Sequence, residues 1–298
     1  MKFKVKLVLL LVVLSFLSCQ VESYNKKKTI IIKGSDTMVN LTQKWAEIYM
    51  KKSNNVSVQV TGGGSGNGIV SLFNGTANIA NISRELKDKE LEKAKELNIS
   101  PHQIKVALDG IAIIVHPSNK IDSLTVEQIR DIYTGKIKNW KELGGFNRPI
   151  VLYGRENSSG TYEYFKQNVL GKDKNNFFYD FSPRTQVLQG TASLAEAVSK
   201  DDKGIGYGGV GYFALRKDVK IIAIKENAFK KAVSPFKNGA INYNAIWEGK
   251  YPLSRYLYCY TNGRPEGELK YFIDFISSNE GQEIVKQMEY IPLPTKSD

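Results

Sequence analysis

Along almost its whole length the chain alternates short apolar runs of strand spacing with longer runs of helical spacing, which restricts the fold to the α/β class. Thr29–Lys33 (TIIIK) has strand character. The segment from Thr37 to about Lys52 places Leu41, Trp45, Ile48 and Tyr49 on one helical face, and Val56–Val60 (VSVQV) returns to strand spacing. Further strands are expected at Ile104–Leu108, Ile111–His116, Ile150–Tyr153, Ile205–Tyr207, Ile221–Ile224 and Tyr256–Tyr260. Helical spacing covers Lys87–Leu97, Val126–Tyr133, Gly160–Asn168, Ala192–Ser199 and Leu269–Ile276. Such alternation predicts mostly parallel sheets flanked by helices. With 298 residues, 42% of them hydrophobic, the chain can bury one or two substantial cores. No solenoid repeat and no long linker follows Lys28, so two units have to be joined by short crossings. ALDGIAIIVHP and VKIIAIK are the candidate crossings.

Three strand-to-helix turns carry the chemistry: IIIKGSDTM, VQVTGGGSGNG and VLYGRENSSGTYEYF. A helix start presents backbone N–H groups without intrahelical partners and about half a positive charge, so such a turn attracts anions. Glycines let the backbone approach an oxygen closely, and a hydroxyl adds a donor. Taken singly, Gly62–Gly68 also suits a tight turn or linker, and Gly34–Thr37 suits ordinary helix capping. The third turn is more specific. Arg155 precedes Ser158, Ser159 and Thr161, and a guanidinium offers paired planar donors to a tetrahedral oxyanion.

The remaining motifs narrow the function to binding. GIGYGG (Gly204–Gly209) follows the polar SKDDK and holds a strand-like IGY, so it lacks the context of a dinucleotide fingerprint. No Walker lysine follows the glycine loop, and no nucleophile elbow surrounds Ser65 or Ser159. His102 and His116, the only histidines, sit in no metal-spaced cluster. No catalytic residue, metal or cofactor is expected.

The N-terminus, MKFKVKLVLLLVVLSFLSCQ, has basic Lys2, Lys4 and Lys6, an apolar run from Leu7 to Leu17 too short to span a bilayer, and Cys19 after a small residue. It resembles a bacterial lipoprotein signal over 1–18, with lipid on Cys19 and a tether over 19–28. Phe16 and Leu17 make the cleavage motif irregular. Cys259 would then have no disulfide partner. The net charge of +12 (42 Lys and Arg against 30 Asp and Glu) falls to +9 once those three lysines are removed. No nucleic-acid-binding motif accompanies it, so the charge favours anionic solutes or the lipid surface.

Together these segments resemble the periplasmic phosphate-binding proteins of bacterial phosphate ABC transporters. The resemblance runs from IIIKGSDTM through GGGSGNGI, ANISRELKDKEL, LTVEQIRDIYTGKIKNWKELGG and RENSSGTYEYF to YPLSRYLYCYTNG. It implies a two-lobe periplasmic-binding-protein architecture with two short crossings: lobe one from 29–108 plus 223–298, lobe two from 109–222. It also implies a monomer that is periplasmic, lipid-anchored to the membrane, and delivers inorganic phosphate to ABC permease subunits. By match to the family's motifs, Thr37 and the main chain of Met38 form one wall of the site, Ser65 the second, and Arg155, Ser159, Gly160 and Thr161 the third. Where several members carry an acidic acceptor for the phosphate proton, this chain has Arg84. Asp36 is the nominee for that acceptor, with helix capping as its alternative, and Arg84 either touches the ligand or forms a salt bridge. Within the class, sulfate, molybdate or a phosphate ester are the competing ligands; a secreted phosphatase and a surface adhesin are the competing functions.

Overall fold

The computed structural model describes residues 27–294, so the signal segment, Cys19 and most of the tether lie outside the described residues. In chain order the strands are β1 (Lys28–Gly34), β2 (Val56–Thr61), β3 (Ile79–Ile82), β4 (Pro101–Val115), β5 (Ser123–Thr125), β6 (Val151–Arg155), β7 (Gln186–Leu188), β8 (Gly204–Gly209), β9 (Lys220–Lys225), β10 (Phe236–Lys237), β11 (Ala240–Ile241) and β12 (Ser254–Asn262). The α-helices are α1 (Val39–Lys52), α2 (Ser65–Phe73), α3 (Asp88–Glu96), α4 (Val126–Tyr133), α5 (Gly160–Phe165), α6 (Gly190–Lys200), α7 (Val210–Phe213), α8 (Tyr243–Trp247), α9 (Gly267–Ser277) and α10 (Asn279–Gln287).

The main sheet path runs β2-β1-β3-β12-β4-β8-β6-β7, with β9 beside β4 and β5. At each end the strands are parallel: β2, β1 and β3 in lobe one, and β8, β6 and β7 in lobe two. The crossing strands run antiparallel to their neighbours, so each sheet is mixed. Parallel order puts the carboxyl ends of β1 and β2 side by side, the usual place for a ligand in an open α/β sheet.

Each lobe has its own core. In lobe one, Ile30 and Ile32 on β1 pack with Leu41, Trp45 and Tyr49 of α1 and with Phe272 and Ile276 of α9. Those α1 positions lie one turn apart on one face, and Trp45 also donates from Nε1 to the Gly281 carbonyl at 2.9 Å. In lobe two, α4 starts with a reciprocal cap: Thr125 Oγ1 accepts from Gln128 N at 3.0 Å while Gln128 Oε1 accepts from Thr125 N at 2.8 Å. Its buried Ile129, Ile132 and Tyr133 then face the core, where Phe165 stacks on Tyr207 with centroids 4.0 Å apart. GIGYGG is wholly strand β8, and a Cβ on Gly206 would come within 2.5 Å of the Leu194 side chain, so the glycine serves helix-on-strand packing.

Two expectations about the crossings change. The separate strands at Ile104–Leu108 and Ile111–His116 are one 15-residue strand, β4, whose first part pairs with β12 and whose last part pairs with β8 and β9. ALDGIAIIVHP runs from Ala107 of the lobe-one core to residues of the lobe-two core, Ile111 onward. VKIIAIK makes no such passage: it forms β9, which stays inside lobe two. Ile241, Ala245, Ile246, Tyr251 and Leu253 continue to pack in the lobe-two core, whereas Leu257 and Cys259 belong to lobe one. The chain therefore returns on β12, about thirty residues later than the boundary at 223, because α8 buries its apolar face against lobe two.

Candidate functional site

The three turns converge. β1 ends at Gly34 and leads through Ser35 into a 3-10 turn, Asp36–Met38. β2 leads through Gly62–Gly64 into α2, which begins at Ser65. β6 ends at Arg155 and leads to α5, capped by Ser159. The lobes meet across these turns. Gly66 N donates to the Ser158 carbonyl at 3.0 Å, and Thr37 Oγ1 lies 3.1 Å from Thr161 Oγ1. Two glycines permit this approach. Gly64 has φ 91°, and a Cβ there would lie 2.4 Å from the Ser158 carbonyl oxygen; a Cβ on Gly160 would lie 2.2 Å from Ser65 Oγ.

Arg155 is the cation at the centre. Its side chain is 1% exposed and donates from Nη2 to Asp36 Oδ2 at 3.1 Å, across the lobes. Nε and Nη2 also donate to Glu156 at 3.0 and 2.8 Å, and Nη1 donates to Thr191 Oγ1 at 2.9 Å. Burial works against the charge of Glu156, yet the hydrogen bonds and charge of Arg155, with the Gly190 amide, hold its carboxyl below the ordinary range. These four hydrogen bonds fix the plane of the guanidinium and leave one Nη1 proton of its five N–H groups uncommitted.

Asp36 does not cap its own turn. Oδ1 accepts from Gly63 N at 2.8 Å, tying the first turn to the second, and Oδ2 faces Arg155. Ser159 Oγ accepts from the amides of Thr161 and Tyr162 at 3.2 and 3.3 Å, which leaves its own proton to donate. Ser65 Oγ accepts from Ser83 N at 3.1 Å and is buried. Met38 N is occupied within the turn, donating to the Ser35 carbonyl at 3.0 Å. Arg84 is held apart from this group: Nη1 and Nη2 each donate to Glu90 at 2.8 Å, the salt-bridge alternative of the sequence reading. A cavity of about 340 Å³ opens beside Asp36, Thr37, Thr191, Tyr212 and Tyr290; the buried Arg155 and Ser65 do not line it.

Sequence reasoning missed four neighbours of the site. Glu156 and Thr191 hold Arg155, Ser83 holds Ser65, and Arg255 donates from Nη2 to Thr161 Oγ1 at 2.9 Å. Of these only Glu156 carried a signal, its position next to Arg155; the others arrive from distant segments.

A model of the PBP superfamily domain matches residues 21–280. The phosphate-binding protein PstS of Pseudomonas aeruginosa is 36% identical over 280 residues, covering 88% of this chain and 82% of its own. The PstS of Bacillus subtilis is 32% identical and covers 89% and 81%. Among solved structures, a substrate-binding protein of Clostridium perfringens with bound phosphate superposes with a TM-score of 0.76 at 31% identity, covering 90% of this chain and 100% of that one. An ABC-type phosphate transport receptor of Vibrio cholerae gives 0.69 at 30% identity, covering 89% and 100%. The chain belongs to the PBP superfamily and, within it, to the PstS family of phosphate-binding proteins.

Proposed function

We propose that this chain is the extracytoplasmic receptor of a phosphate ABC transporter, closing on inorganic phosphate and presenting it to the permease subunits. The observation that carries the reading is the buried Arg155, fixed by four hydrogen bonds to acceptors on Asp36, Glu156 and Thr191 where hydroxyl-bearing turns of both lobes meet. The hydroxyls of Thr37, Ser65, Ser159 and Thr161 and the backbone N–H of Gly160 supply further hydrogen bonds, and Asp36 accepts one from the phosphate O–H; Met38 N, spent on the Ser35 carbonyl, does not. Arg84, committed to Glu90, stands outside the contact set. Donors, one cation and one acceptor suit capture and release, and the relatives are named as binding proteins rather than enzymes. Radiolabelled phosphate retained by the tag-free mature protein and displaced by unlabelled phosphate but not by molybdate tests it; equal displacement by both anions would count against it.

Closure depends on Gly160. Gly160→Ala places a methyl against Ser65 Oγ and is expected to weaken phosphate binding about tenfold, because the lobes have to stay apart. Small-angle scattering checks the cause: the parent compacts on adding phosphate and the variant does not. A variant that compacts normally and binds like the parent contradicts the closed geometry.

We also infer that the mature protein is a monomer anchored through lipid on Cys19. Among the described residues no helix is long and apolar enough to cross a membrane. Cys19→Ala is expected to abolish labelling by radioactive palmitate and to move the protein into the soluble fraction. Equal labelling of variant and parent refutes the anchor.

A further inference from the structure

Where the two crossing strands pair, Arg255 on β12 lies opposite Asp109 on β4. Both are buried: Asp109 is 0% and Arg255 6% exposed. Asp109 Oδ2 accepts from Arg255 Nε at 3.2 Å and Nη2 at 2.9 Å, while its Oδ1 accepts from Val210 N at 3.2 Å at the head of α7 in lobe two. A buried ion pair is weak evidence for stability taken alone, so what it touches matters more than that it pairs.

What it touches is the anion site. Arg255 Nη2 donates to Thr161 Oγ1 at 2.9 Å and lies 3.4 Å from Thr37 Oγ1, so one guanidinium reaches a hydroxyl on each lobe. A guanidinium only donates. Thr161 Oγ1 therefore accepts there, and its own proton has to point away, toward Thr37 or toward a ligand. Nη2 has two protons, taken by Asp109 and Thr161, so Thr37 is not under that constraint and can accept the Thr161 proton across the 3.1 Å between their Oγ1 atoms. Arg255 Nη1 is buried with no hydrogen-bond partner among the described residues, so the group holds donor capacity beyond what its anchor uses.

We propose that Arg255 is a positioning residue of the anion site: by donating to Thr161 Oγ1 it leaves that hydroxyl only its proton to offer, and the proton turns onto the anion when one is bound. This rests on the reading of the cleft as a phosphate site. A hydroxyl that accepts from a cation becomes a better donor, since successive hydrogen bonds polarise one another. Thr161 then acts toward the anion only as a donor, and Asp36 is left to accept the phosphate O–H. Asp109 keeps the guanidinium in register and offsets its charge.

The test compares the loss caused by Thr161→Val in two backgrounds, by titration calorimetry with inorganic phosphate. One background is the parent; the other is Asp109→Asn with Arg255→Met, which removes both buried charges together and keeps an acceptor for Val210 N. Thr161→Val is expected to weaken binding about 30-fold in the parent and about threefold in the paired background. Equal losses in both backgrounds mean that Arg255 holds only the crossing, and overturn the proposal. If the paired background fails to fold, Arg255→Lys serves instead: it keeps the charge near Asp109 without the planar fork that reaches Asp109 and Thr161 together, so it too should shrink the Thr161→Val loss, and an unchanged loss overturns the proposal. A parent that binds no phosphate overturns the function above and this inference with it, whereas additive losses in a phosphate-binding parent overturn this inference alone.

Discussion

Arg155→Ala should weaken phosphate binding by about 100-fold or more while the protein stays folded. The guanidinium is the fixed cation of the site, and its removal does more than subtract an attraction. Asp36 and Glu156, now held by it from either side, become unpaired carboxylates beside the incoming anion. Arg155→Lys separates charge from geometry. An ammonium keeps the charge but cannot hold Glu156, Asp36 and Thr191 at once, so an intermediate loss of about tenfold is expected. Calorimetry on variants with a cooperative thermal transition decides the matter. A folded alanine variant that loses less than about threefold would place the anion elsewhere.

The second large effect concerns the choice between phosphate and sulfate. Both are tetrahedral anions of similar size, and Arg155 with the helix starts attracts either. Near neutral pH phosphate keeps at least one O–H and sulfate has none, so a fixed carboxylate accepts from the first and repels the second. Two negative groups about 4 Å apart repel by about 4 kcal/mol at an effective dielectric near 20. Asp36 is the proposed carboxylate, with Oδ1 on Gly63 N, Oδ2 on Arg155 and no cap on its own turn. Asp36→Asn keeps an acceptor for Gly63 N and loses the charge. Near-parental thermal stability, weaker phosphate binding and measurable sulfate binding are expected. A variant that rejects sulfate as strongly as the parent would reduce Asp36 to a brace for Arg155.

Local signals made much of this structure legible. Period and punctuation located α4 to the residue and β8 inside GIGYGG, because a capping box and a strand that follows a polar run are contained within a few positions. α10 escaped because Gly281 in its first turn lowers helical propensity. The glycine is there because a Cβ would lie 2.2 Å from the Phe275 carbonyl oxygen at the end of α9, a contact no single segment reveals. The crossing on β12 escaped for a related reason: VKIIAIK and SRYLYCY are equally apolar, and only the packing of α8 decides which one leaves lobe two. At the site the three turns were visible as glycines, hydroxyls and an arginine. Their supports were not: Thr191 and Arg255 lie 36 and 94 residues from the groups they hold. A hydroxyl and a buried arginine carry no local mark of the partner that the fold brings to them.

The most direct test of the account is calorimetric titration of phosphate into the tag-free mature protein, alone and with sulfate in roughly 100-fold excess. Saturable binding at about one site per chain is expected, with an affinity that the sulfate leaves nearly unchanged. The absence of saturable phosphate binding, or its loss when sulfate is present, would contradict it.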